Sequence, residues 1–162
     1  MTVLDTKGMT DMKIPVNINI ITEKLLGNPL DGTGETETRE TTAFGYIRTT
    51  KDGLKLEYME NSSGSDGSIT TVNLIGDNIV AMNTGGTNGT YMIFEEGKTH
   101  SCVLSNGYFP MELRVKTKQL KNTLSKNGGK LDVNYTVDII GSRAENSRIS
   151  LSVYPHEDII TS

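Results

Sequence analysis

Apolar and polar residues alternate one for one along most of this chain, a period of two that fits strands and not helices. The last third shows it best. Leu131, Val133, Tyr135, Val137 and Ile139 alternate with Asp132, Asn134, Thr136 and Asp138. Met111, Leu113, Val115 and Thr117 alternate with charged partners, and Ile149, Leu151 and Val153 with Ser150 and Ser152. The pattern is present early as well: Ile14, Val16, Ile18 and Ile20 are interleaved with Pro15, Asn17 and Asn19, and Leu54, Leu56 and Tyr58 with Lys55, Glu57 and Met59. Each segment has one face to bury and one to expose, the signature of an antiparallel sheet wet on one side.

Turn chemistry punctuates these runs. Lys51-Asp52-Gly53, Gly76-Asp77-Asn78, Glu95-Glu96-Gly97-Lys98 and Asn127-Gly128-Gly129 read as tight turns, because Gly, Asp and Asn reach the backbone conformations such turns need. Gly27 to Glu35, Asn61 to Gly67 and Thr84 to Thr90 read as longer polar connections. About ten short strands result. Connections this short cannot make crossovers, so sequential strands pair antiparallel. A long meander left open has two unpaired edges, and closure removes them. The expected fold is all-β: an antiparallel meander closed into a barrel spanning residues 13–154, with tails at 1–12 and 155–162. Pro15 suggests a strand start or an edge. A short turn of helix is expected, if anywhere, at Gln119 to Leu124 or in the Gly27 connection.

Composition narrows the function classes. With 162 residues the chain suits one domain and needs no disulfide or metal to fold. Net charge is −4, against the basic surface expected of a nucleic-acid binder. The densest basic run is Arg114, Lys116, Lys118 and Lys121, read as a solvated face whose lysines guard an edge. The single cysteine, Cys102, permits no internal disulfide and suits a reducing compartment. Residues 1–12 lack the apolar stretch of a signal peptide, and no apolar run is long enough for a membrane span.

No catalytic signature stands out. His100 and Cys102 share a strand face, but a zinc site needs about four ligands, and the other histidine, His156, lies near the C-terminus. The glycine-rich loops lack the Gly-Lys-Ser/Thr of a phosphate cradle. No Gly-x-Ser-x-Gly elbow occurs. Tyr58 and Tyr135 share parity with aliphatic neighbours, and their hydroxyls would need partners inside a barrel. The expectation is a non-catalytic barrel without cofactor or metal. It would hold a small, largely apolar molecule against Tyr58, Met82, Phe94, His100 and Tyr135, with Glu60 as a polar anchor. The competing expectation is an interaction or structural module with a filled core, for example a homodimer formed through the first strand.

Residues 18–153 resemble a bacterial family of calycin-like β-barrel domains, the YwiB-like family. The resemblance rests on Leu56-Glu57-Tyr58-Met59-Glu60, on Val80-Ala81-Met82-Asn83-Thr84-Gly85 with Met92-Ile93-Phe94-Glu95-Glu96-Gly97, on Gly107 followed by alternation to Thr117, and on Gly128-Gly129-Lys130-Leu131 with Tyr135. It implies a calycin-like barrel in a bacterial cytoplasm and no particular activity. Asn83 stands where the family pattern has arginine, and Cys102 where it has tyrosine. The Gly-x-Trp of lipocalins is missing, since the chain has no tryptophan. The late arginines, Arg143 and Arg148, do not reproduce the Arg-x-Tyr of fatty-acid-binding proteins.

Overall fold

A computed structural model describes residues 13–26, 35–51, 53–60, 68–85, 89–105, 110–139 and 145–156. The N-terminal tail, most of the Gly27 connection, the polar loop 61–67, Asp52 and residues 157–162 lie outside these. Ten strands follow in order: β1 (Ile14–Leu26), β2 (Glu35–Thr49), β3 (Gly53–Glu60), β4 (Thr70–Ile75), β5 (Ile79–Thr84), β6 (Thr90–Glu95), β7 (Thr99–Ser105), β8 (Pro110–Asn122), β9 (Gly129–Ile139) and β10 (Glu145–Pro155). Each pairs antiparallel with its sequence neighbour, and β1 pairs with β10 to close the barrel. No helix occurs among the described residues, and none is long and apolar enough to cross a membrane.

Three expectations change. Gln119 to Asn122, a candidate helical turn, continues β8 beyond a register shift between Thr117 and Gln119. The extra residue at that bulge breaks the simple alternation there. Pro15 does stand at a strand start, but β1 is paired on both sides and is not an edge. The basic run on β8 faces solvent, yet β8 is likewise paired on both sides, so its lysines guard no edge.

The two barrel ends are built differently. At one end, β2–β3, β4–β5 and β6–β7 are joined by three residues each and β8–β9 by six. Gly97 and Gly128 there have φ of 80° and 99°, the left-handed region that favours glycine. A side chain at Gly128 would also run into the Val153 carbonyl. This is the closed end. At the other, open end, five connections of four to nine residues join the strands.

Inward side chains fill the closed half. Ile18, Ile47, Leu56, Val72, Val80, Phe94, Val115, Leu131, Val133 and Leu151 are essentially inaccessible. Phe94 lies against Tyr135 with ring centroids 4.9 Å apart. Burying a side chain of this size contributes roughly 1.5–3 kcal/mol each before ordering costs. The Thr117 hydroxyl is also inaccessible and has no hydrogen-bond partner among the described residues. At Gly45 a Cβ would collide with the Glu57 carbonyl, so β2 can approach β3 closely only with glycine there.

Candidate functional site

The register arranges the inner wall of β3–β6 in tiers. Tyr58 opposes Thr70, Thr70 opposes Thr84, and Thr84 opposes Thr90, forming a row nearest the open end. One tier deeper stand Leu56, Val72, Met82 and Met92, and deeper still Leu54, Leu74, Val80 and Phe94. The interior thus passes from hydroxyls through methionines to packed aliphatics and one aromatic ring within three tiers. Period-two strands place residues i, i+2 and i+4 on one face, so each strand contributes one residue per tier.

Inside the open end lies a cavity of about 200 Å³ lined by these upper tiers and by β1, β2 and β10. Ile20, Met82, Met92 and Ile149 form its apolar surface, and Thr22, Thr41, Thr70, Thr84 and Thr90 present hydroxyls. Arg39 and Glu60 are its two charged lining residues among the described residues. A cavity of ~150 Å³ lined by apolar side chains can take up benzene, so this one is large enough for a small organic molecule.

The hydroxyls are organised. Tyr58 hydrogen-bonds Thr70, and the Thr70 and Thr84 hydroxyls are 3.2 Å apart. Thr41 donates to Glu60 Oε1 at 3.0 Å. Burial, reinforced by the Glu60 charge, raises the Tyr58 phenol well above its ordinary pKa. It therefore stays protonated near neutrality.

Of the residues singled out in the sequence, Tyr58, Met82 and Glu60 line this cavity. Phe94 and Tyr135 do not. Phe94 is packed in the closed half, and the Tyr135 hydroxyl is held by Ser147, its pKa raised mainly by burial. His100 sits beside the β6–β7 turn at the closed end. Its Nε2 lies 3.0 Å from Glu95 Oε1, with the His side chain 31% exposed.

Cys102 does not engage the His100 ring. Its sulfur accepts the Ile93 amide at 3.4 Å and donates to the His100 carbonyl at 3.7 Å. Burial raises its pKa, which keeps the weakly nucleophilic thiol form. The β6–β7 ladder has only two residue pairs, Thr90–Leu104 and Tyr91–Val103, and Cys102 satisfies an amide where that ladder lapses. Among the described residues, no group of three or more His, Cys, Asp or Glu stands together as a metal site would require.

Arg39, Thr41, Thr70, Thr84, Thr90 and Met92 were not anticipated. Arg39 and Thr41 share parity with Ala43, Gly45 and Ile47, which is the signal that extends the inner face of β2 upward to the rim.

The outer wall carries a different feature. Phe44, Tyr46, Met59 and Ile69 are exposed and, with Lys13, border an open hollow of about 460 Å³ on β2 and β3. Phe44 and Tyr46 meet edge to face at 5.5 Å, and Lys13 Nζ lies 5.8 Å from the Tyr46 ring centre.

Among curated proteins none matches this chain. The crystal structure of the ywiB protein from Bacillus subtilis is similar in fold, with a TM-score of 0.62 and 18% identity over 91% of this chain and 96% of that one. Residues 26–151 match the family described as Domain of unknown function (DUF1934). With most of its barrel inside that match, the chain belongs to the DUF1934 family.

Proposed function

We propose that this barrel is a non-catalytic binder of one small, mainly apolar molecule, taken up at the open end. The observation that carries the reading is the tiered interior, in which hydrogen-bonded hydroxyls stand above methionines around a cavity of about 200 Å³. Binding sites are commonly apolar enclosures with a few polar groups that fix orientation. Methionine suits such a surface because its flexible thioether adapts to irregular shapes. The lone buried thiol suits a cytoplasmic setting.

Native mass spectrometry of freshly purified protein, set against its denatured mass, tests this reading. An excess mass that disappears on unfolding supports it. A bare native mass, together with no uptake of benzene by the protein, removes it.

A second reading rests on the outer wall. The Phe44–Tyr46–Met59–Ile69 hollow is the kind of apolar patch that marks contact surfaces, and a homodimer through it is the simplest form. Light scattering on the wild type and on Phe44→Ser would separate the two readings. A dimer lost on substitution favours contact through this face, and a monomer at all concentrations removes the homodimer.

A further inference from the structure

We infer that the ligand of the open-end cavity is a small zwitterion with an apolar tail, of the class of aliphatic α-amino acids. This rests on the binding reading above and adds the chemistry of the ligand's head. The cavity is lined by one cationic and one anionic side chain, Arg39 and Glu60, on adjacent strands. Both border the same small space, Arg39 exposed at its rim and Glu60 half-buried, and neither forms an ion pair among the described residues. Glu60 has one protein donor, Thr41, on Oε1, and its second oxygen has none among the described residues. Arg39 likewise has no acceptor there. Arg39 opposes Thr22 and Glu60 opposes Ala43, four residues further along β2, so the two charges occupy different positions along the inner wall.

A carboxylate at Arg39 and an ammonium at Glu60 complement both groups at once, and Ile20, Met82, Met92 and Ile149 receive the hydrocarbon tail. A purely anionic ligand would leave Glu60 without a cation and bring like charges together. A purely cationic one would do the same at Arg39. Guanidinium matches carboxylate geometry in two-pronged fashion, and charge-assisted hydrogen bonds are the strong ones. The Thr70 and Thr84 hydroxyls are already paired with each other, which leaves the two charged groups to select the head.

The test is a calorimetric titration of the whole protein with four six-carbon probes: norleucine, hexanoate, hexylammonium and hexanol. The inference expects norleucine to bind about tenfold or more tightly than each of the others, a charge-assisted bond to each group supplying the difference. Arg39→Gln and Glu60→Gln should each weaken norleucine by about ten- to hundredfold, with thermal melts confirming folded protein. If hexanol or a singly charged probe binds as well as norleucine, or if only one of the two substitutions matters, the zwitterion is wrong while the container survives. If none of the four binds and benzene does not enter either, the container itself falls.

Discussion

The two ends of this barrel share ten strands and differ in nearly everything else. At the closed end, three of the four turns have three residues, and the inner wall is packed Leu, Ile, Val and Phe. At the open end the same strands change to Thr, Tyr, Arg and Glu, the connections lengthen, and a cavity remains. Tight packing and open space thus lie at opposite ends of one continuous sheet. The closed end can be dry and tightly packed because the open end need not be, and a barrel without free edges lets the packed half hold the mouth in register.

Substitutions that remove volume should separate the ends most. Phe94→Ala at the closed end should cost about 3–5 kcal/mol in urea unfolding, since it empties space against Tyr135 in a filled core. Met92→Ala, beside existing empty space, should cost less than about 2 kcal/mol. Equal costs would break the comparison.

The same chemical change should then have opposite signs at the two ends. Thr70→Val at the mouth removes the partner of the buried Tyr58 hydroxyl and should destabilise by about 1–3 kcal/mol. Thr117→Val in the closed half removes a buried hydroxyl that has no partner among the described residues and should stabilise by up to about 1 kcal/mol. Denaturant midpoints of the two variants, measured side by side, check this. A loss at Thr117 as large as that at Thr70 would show that the closed half is not the dry, apolar region described.

A smaller effect comes from the outer wall, where Arg148 ties β10 to its neighbours β9 and β1. Its Nε and Nη2 donate to the Asp132 carboxylate at 2.9 and 2.6 Å, and its Nη1 donates to Glu23 at 3.3 Å. The Arg148 hydrogen bonds hold the Asp132 carboxyl below its ordinary pKa. A carboxyl whose folded pKa is depressed contributes stability above its unfolded pKa of ~3.9, and that contribution is lost as pH falls through the folded value. Asp132→Asn should therefore flatten the acid limb of stability against pH, and cost about 1 kcal/mol or less at neutral pH because Arg148 is partly exposed. An unchanged acid limb would show that the clamp does not contribute.

Much of the fold was legible because burial on one face writes itself as alternation. Leu131 to Val137 and Leu54 to Tyr58 declared their inner faces directly, and short turns dictated sequential pairing. The rim was hidden for the same reason. From Thr36 to Thr42 every residue is threonine or charged, so parity carries no hydrophobic sign, and half-buried Thr41 and the exposed rim residue Arg39 look like their neighbours. The Tyr58–Thr70–Thr84–Thr90 row exists only through register across four strands, which no single segment encodes. His100 has inward parity, yet the β6–β7 ladder lapses beside it and leaves the ring free to meet Glu95. Tyr135 has inward parity and the parity of Phe94 is ambiguous, and direction along a strand does not reveal which end of the barrel a residue serves.

The most direct test of the two-ended account is a xenon or benzene titration followed through the methionine methyl resonances. The account predicts that Met82 and Met92 shift together and saturably, while Met59, on the outer wall, stays in place. Silent Met82 and Met92 methyls, or a response centred instead on the Phe94–Tyr135 stack, would contradict it.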